Sequence, residues 1–307
     1  MDITIKNIRV PSCDGVHRLA GVLYIPKGEI LGLFHVVHGM TEHIGRYEAF
    51  MRFMAAQGWL CFGYDHLGHG LTADDDSELG FIAHKRGWEL LCRDVAVFAK
   101  TVKAEYGEDL PYVLMGHSMG SFIVRLAAER YIKPDKLIIM GTGGPNPAAD
   151  AGLTLIALIK LIYGEKHFSK FLQNVIFGGY NNKFPDNSPQ TPSAWLTNDI
   201  EIRKKYMDDK YCRFKFKVSA MGDLIRLMKY SNRPAWYKKL DTDIPILLVS
   251  GSDDPVGGFG KGVKKVHRSL LKSGHSVICH LYEGARHEIL NDICRERLYT
   301  DILEFIK

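Results

Sequence analysis

The chain has 307 residues, 46% of them hydrophobic and 24% charged, the balance of a folded globular protein rather than a disordered one. Forty Lys and Arg stand against 35 Asp and Glu, and the excess of +5 is spread along the chain, so no nucleic-acid partner is expected. Length alone allows either two domains in tandem or one domain carrying an insertion.

The opening seven residues alternate polar and apolar, without a basic region followed by an apolar one, so no secretory signal is read. Residues 3–10 and 18–25 alternate in the manner of half-buried antiparallel strands. The pattern then changes. Residues 31–37, 59–64, 112–115, 136–140, 246–250 and 277–282 are short, nearly continuous apolar runs, which suits strands buried on both faces of a parallel sheet. Helical stripes lie between them. Phe50, Phe53 and Met54 mark one, and Leu91, Val95, Phe98 and Val102 a second. Phe122 with residues 124–128 marks a third, Val263, Val266 and Leu270 a fourth, and residues 293–306 a fifth. Strand–helix alternation of this kind predicts an α/β fold with helices on both faces of a mostly parallel sheet.

The alternation stops between Gly143 and about Asp241. That interval opens on Gly-Gly-Pro-Asn-Pro, continues through an apolar helical run over 148–163 and a polar, Pro-punctuated stretch over 185–192, and holds a further helix near 218–230. It contains no run resembling a buried strand. An independent helical domain would leave the last two strands without a sheet. The expected division is therefore one α/β unit made of 1–144 and 241–307, with 145–240 inserted as a helical cap. Leu153, Leu155, Ile156, Leu158, Ile159 and Ile162 make the 148–163 helix apolar nearly all round, so it either lines a cavity or touches an apolar phase, or packs on the body. The longest apolar stretch, residues 151–163, is too short to span a bilayer. The six cysteines (Cys13, Cys61, Cys92, Cys212, Cys279 and Cys294) form no Cys-x-x-Cys pair, and Cys61 and Cys279 fall in apolar strand-like runs. A reduced, cytoplasmic setting is expected.

Gly116-His117-Ser118-Met119-Gly120 follows a strand run and precedes a helical one. That context is the one a nucleophile elbow requires: a strained turn that exposes the serine hydroxyl, flanked by glycines because side chains there would strike the neighbouring strand and helix. A serine hydroxyl needs a base, and the base a carboxylate to orient it. In hydrolases of this architecture the order is Ser, then Asp or Glu, then His, each on a loop after a strand. His287 is the histidine that follows the last strand, whereas His267 and His275 read as surface residues of a helix and a turn. The acid lies on the loop leaving 246–250, where spacing leaves Asp253 and Asp254 equally open. The oxyanion donors expected are the backbone N–H groups of Met119 and of Met40, which follows His38-Gly39 at the end of an early strand. The Asp74-Asp75-Asp76 run has no His or Cys at ligand spacing and reads as a solvated loop, and His66 with His69 reads as a hydrogen-bonded loop pair. No metal or cofactor is expected.

Five segments resemble a known family. Residues 38–47, HGMTEHIGRY, resemble the HGxxEHxxRY segment of the monoacylglycerol lipase and lysophospholipase group of α/β-hydrolases. Asp65-His66-Leu67-Gly68-His69-Gly70 resembles its DxxGHG loop, with His66 where the family commonly has Arg. GHSMG is similar to its elbow, GSDD over 251–254 to its acid loop, and YEGARHE over 282–288 to its histidine segment. The resemblance covers most of 15–140 and 240–307 and is weak over 145–235, where that family carries a helical cap that sets acyl-chain preference. It implies a Ser118–Asp254–His287 triad and thus Asp254 as the acid. It also implies a small lipid-like ester as substrate, and with it the apolar 148–163 helix reads as lining an acyl tunnel or making transient contact with a membrane or micelle. The same pattern is shared by S33 serine aminopeptidases, whose substrates would require carboxylates at the pocket; Asp199, Glu201, Asp208 and Asp209 are available. A ligand-binding receptor that retains the triad is the alternative outside enzymology. The sequence is silent on oligomeric state.

Overall fold

The computed structural model describes residues 3–188 and 193–307, so Met1, Asp2 and the end of the Pro-punctuated stretch lie outside the described residues. Eight strands form one sheet: β1 (Ile3–Pro11), β2 (Arg18–Pro26), β3 (Gly32–Val37), β4 (Trp59–Tyr64), β5 (Tyr112–His117), β6 (Lys136–Met140), β7 (Ile246–Gly251) and β8 (Val277–Tyr282). Their order is β1-β2-β4-β3-β5-β6-β7-β8. β1 and β2 pair antiparallel, β2 meets β4 antiparallel, and every pairing from β4 to β8 is parallel. All eight strand runs expected from the sequence are present. β3, β4, β5 and β7 are buried along their whole length, as continuous apolar runs require. β8 departs from that expectation. It is the edge strand, mostly half-buried, with Ile278 exposed, and Cys279 is likewise only partly covered.

Helices α1 (Glu48–Ala56) and α10 (Arg295–Ile306) cover one face, around Phe34, Phe50, Met115, Leu247 and Leu298. The other face carries α2 (Gly87–Tyr106), α3 (Met119–Arg130) and α9 (Lys261–Lys272), whose buried rows include Phe98, Ile123, Leu126 and Val266. Between β6 and β7 the described residues contain five helices and no strand: α4 (Ala149–Tyr163), α5 (Lys170–Phe177), α6 (Ile200–Asp208), α7 (Val218–Ser231) and α8 (Pro234–Lys239). The apolar cluster on the α2–α3 face continues into Ile156 of α4, Leu172 of α5, and Met221 and Leu227 of α7. One core therefore serves both the sheet and the helices that interrupt it.

His275 is buried rather than a surface residue; its Nε2 lies 2.8 Å from the Tyr237 carbonyl, in the turn that leads into β8. Asp74, Asp75 and Asp76 are exposed, as a solvated loop requires. His17, from the turn between β1 and β2, comes beside Asp74 and Glu78, a proximity that separation along the chain concealed.

Parallel strands leave a crevice at their carboxyl ends where the chain direction of successive connections reverses. Here β3 lies between β4 and β5, so the loops after β3 and β5 open side by side. Those are the loops of Met40 and Ser118, and the loops after β7 and β8 carry Asp254 and His287 on the same edge.

Candidate active site

Ser118 caps α3 with φ 55° and ψ −120°, a region that a non-glycine residue occupies only when its surroundings force it. The forcing is visible in the flanking glycines. A Cβ on Gly116 would lie 2.2 Å from the Gly120 carbonyl oxygen, and one on Gly120 would lie 2.2 Å from that of Val37. Strand, turn and helix approach so closely that only hydrogen fits at both positions, and the serine side chain is left half-exposed at the rim of a cavity.

His287 is buried, and its Nδ1 lies 3.0 Å from Asp254 Oδ2. The distance is that of a hydrogen bond, while the ring N–H points off the line to the oxygen. Asp254 is fully buried; its Oδ1 accepts the Val256 N–H at 2.8 Å, and Ser250 Oγ donates to Oδ2 at 3.3 Å. Asp253 is exposed and takes only the Ser252 hydroxyl. Of the two acids that spacing left open, Asp254 is the one beside the histidine. The Met40 and Met119 N–H groups have no backbone acceptor among the described residues, and both side chains line the cavity.

Behind this group lies a charged layer that sequence reasoning quoted in a motif but gave no role. The Glu42 carboxylate accepts from Gly39 N–H (2.5 Å) and Tyr47 O–H (2.8 Å), and lies 3.3 Å from His117 Nδ1. His117 Nε2 lies 3.1 Å from the His287 carbonyl oxygen, and its ring centroid is 4.7 Å from that of His287. Both ring nitrogens of His117 thus face acceptors. Burial disfavours its charged form, but Glu42 outweighs burial and its pKa is raised; burial works against Glu42 in turn, yet His117 and Arg46 hold its carboxyl below the ordinary range. Arg46 forks onto Glu288 at 2.6 and 2.7 Å and reaches Glu42 at 3.2 Å. Such two-pronged pairing fixes orientation as well as charge. Glu288 follows His287 directly, so this pair steadies the loop that presents the ring.

His38 has a supporting place. Its Nδ1 bonds to the Gly39 carbonyl (2.8 Å) and its Nε2 accepts the His66 N–H (3.0 Å), so burial keeps it neutral, its pKa well below the usual value. His66 returns a bond from Nε2 to the His38 carbonyl at 3.1 Å, and His69 bonds to the Leu67 carbonyl; both act as loop struts. Asp65 joins the motifs by accepting the N–H groups of Ile44 and Leu71.

The cavity has a volume of about 810 Å³, within the roughly 300–1,000 Å³ of small-molecule sites. Ser118, His117 and His287 stand on one wall, and Phe122, Ile176, Phe177, Phe214, Leu224 and Met228 supply much of the apolar lining. α5 and α7 contribute to it and α4 does not, so the acyl-tunnel reading of α4 fails. α4 instead packs Ile156 inward and turns Leu158, Leu161 and Ile162 outward. Sequence reasoning missed Trp195 and Tyr180. The Trp195 ring lies 5.0 Å from that of His287, its carbonyl accepts the His287 N–H, and Tyr180 packs edge-on against it. An aromatic pair outside any motif gives no signal until the fold brings it there.

The chain matches the serine aminopeptidase, S33, family over residues 28–293. It is 34% identical to a monoglyceride lipase of Rattus norvegicus over 279 residues, 88% of this chain and 82% of that protein. It is 28% identical to a monoacylglycerol lipase of Mycolicibacterium smegmatis, across 97% of this chain and 98% of the other. A carboxyl esterase of Bacillus coagulans, solved in complex with glycerol, superposes with a TM-score of 0.91 at 29% identity, covering 99% of this chain and 98% of its own. The chain spans only 27% of one relative, an abhydrolase domain-containing protein of Dictyostelium discoideum. The strained serine, the histidine beside its buried acid and these matches agree: the chain belongs to the serine aminopeptidase, S33, family of α/β-hydrolases.

Proposed function

We propose that the protein is a serine hydrolase that cleaves carboxylic esters of fatty acyl chains, monoacylglycerols and lysophospholipids among them. Ser118 Oγ attacks the ester carbonyl while His287 accepts its proton, and Asp254 holds the imidazolium. The Met40 and Met119 N–H groups bind the oxyanion, each worth about 3–4 kcal/mol in such sites. His287 then returns the proton to the leaving alkoxide, and water, deprotonated by the same ring, releases the fatty acid. The observation that carries this reading is a strained serine opening onto a largely apolar cavity of about 810 Å³ beside a buried His–Asp pair. The relatives named as monoacylglycerol lipases support the substrate class.

An aminopeptidase would need a free carboxylate for the substrate ammonium. The two carboxylates on the cavity wall, Glu42 and Glu288, are both engaged by Arg46, and Asp209 by His43, while Asp199 caps α6. We read residues 145–240 as a cap over the site. Leu158, Leu161, Ile162 and Tyr163 of α4, with Phe171 and Val175 of α5, give it an exposed apolar face fit for transient contact with a membrane or micelle. No helix among the described residues is long and apolar enough to cross a membrane. Six unpaired thiols favour a cytoplasmic setting.

Hydrolysis measured across acyl esters of increasing chain length, with fluorophosphonate labelling of the native protein and of Ser118→Ala, tests this. We expect labelling lost in the variant and turnover favouring long chains over acetyl. Strict acetyl preference, or cleavage of aminoacyl amides with no action on monoacylglycerols, would sink the lipid-ester reading. Absence of labelling in the native protein would favour the receptor.

A further inference from the structure

His43, Asp209 and Cys212 lie outside the machinery described above, yet their ligand atoms, a ring nitrogen, a carboxylate oxygen and a thiol sulfur, all lie within 4.8 Å of one another. His43 comes from the loop after β3, three residues beyond Met40; Asp209 and Cys212 follow the end of α6. His43 Nε2 sits 2.8 Å from Asp209 Oδ2 across 166 residues of sequence, which is why no ligand spacing was legible. Four-coordinate zinc has bonds of about 2.0–2.3 Å, so neighbouring ligand atoms stand about 3.3–3.7 Å apart. Here His43 Nε2 and Asp209 Oδ2 stand 2.8 Å apart and no pair of the three ligand atoms is separated by more than 4.8 Å, limits that enclose that range.

From this juxtaposition we propose that His43, Asp209 and Cys212 form a binding site for a borderline-soft divalent cation of the Zn²⁺ class. The donor set of imidazole, carboxylate and thiolate is one that zinc accepts and that magnesium or calcium, which take oxygen, do not. The Asp209 carboxylate stands at the site itself, while the carboxylates beyond it, Glu42 and Glu288, are paired with Arg46. Cys212 is buried yet on the cavity wall, so a fourth position, open to water, would lie on the cavity side. Binding releases the thiol proton and replaces the His43–Asp209 contact by two metal bonds.

The ion would be a staple. Thr41 and Tyr206 already join the same loop to α6 through their hydroxyls (3.1 Å), and Arg46 lies over the Tyr206 ring at 4.7 Å. A metal would add a stronger link between the loop of the proposed oxyanion donor and the helices that roof the cavity.

The test is titration of the full chain, freed of metal with a chelator, with Co²⁺ followed by absorption, and then with Zn²⁺. One equivalent of Co²⁺ is expected to give a sulfur-to-cobalt charge-transfer band, displaced by Zn²⁺ and lost in Cys212→Ser. Binding should weaken at least tenfold in His43→Gln and in Asp209→Asn. Zn²⁺ should also raise the melting temperature and slow alkylation of Cys212 in the native chain, a readout that needs no variant to fold. Absence of the band at one equivalent, its persistence in Cys212→Ser, or Cys212 alkylation unchanged by Zn²⁺ would each overturn the proposal.

Discussion

The sheet with its covering helices and the helices between β6 and β7 solve different problems. In the first region the charged groups around the serine are buried and paired: Asp254 with His287, Glu42 with His117, Arg46 with Glu288. In the second, buried Arg203 pairs with Asp186, but most ion pairs, such as Lys229–Asp150 and Lys204–Glu201, lie on the surface, and several apolar side chains face outward. A buried charge is expensive to leave unpaired, whereas an exposed pair contributes about 0–1 kcal/mol. The first region thus holds geometry, and the second can vary its surface at little cost in stability. The comparison predicts that substitutions in the first region change turnover and folding, and that those in the second change selectivity.

The largest expected effect is on turnover in the first region. Ser118→Ala should lower kcat by at least about 10⁴-fold, and Asp254→Asn by about 10⁴-fold, with melting temperatures close to native. Trp195→Ala, in the second region but against His287, should cost turnover far less and alter chain-length preference instead. Steady-state kinetics on an ester series distinguishes the two; equal losses at Trp195 and Asp254 would erase the contrast. Next in size is stability. Arg46→Ala leaves Glu288 without its buried counter-charge and Glu42 with His117 alone, and should cost about 3–5 kcal/mol in urea unfolding. Lys229→Ala, which breaks an exposed pair, should stay within about 0.5 kcal/mol.

The same contrast governs what was legible in the sequence. Buried parallel strands are continuous apolar runs, so β4 and β6 coincide with their expected bounds, and the elbow announces itself because its strain demands two glycines. β8 was expected to be covered on both faces, since periodicity cannot tell an edge strand from a central one. α5 and α6 bury only one residue each, Leu172 and Arg203, and α8 is six residues long, so none carries a stripe, whereas α1, also of nine residues, buries four. Partnerships across long separations, Arg46 with Glu288 or His43 with Asp209, exist only once the chain folds.

A smaller effect follows from the charged layer behind the serine. His117 has a folded pKa above its ordinary 6.5, so its stabilisation is complete below that value and is lost as pH rises through the folded one. Glu42 has a folded pKa below its ordinary 4.5, so its stabilisation is present above 4.5 and is lost as pH falls through the folded value. The pair should therefore contribute most between about 4.5 and 6.5. His117→Gln should flatten the melting temperature above pH 6.5; an unchanged slope would mean that His117 is neutral.

The smallest effect expected on folding is at the exposed apolar face of the second region. Leu161 is 82% exposed and Ile162 70%, so neither loses packing when replaced by a polar residue. Leu161→Ser with Ile162→Ser should leave unfolding free energy within about 0.5 kcal/mol of native. If the face serves only solubility or crystal-like packing, turnover on every substrate should be unchanged too. If it meets a lipid surface, turnover should fall several-fold on substrate held in vesicles and stay native on a short, dispersed ester, because only the first must be drawn from an interface. The split between the two substrates is decisive: equal loss on both would assign these side chains to the cavity, from which α4 is absent, and would break the division of labour between the two regions.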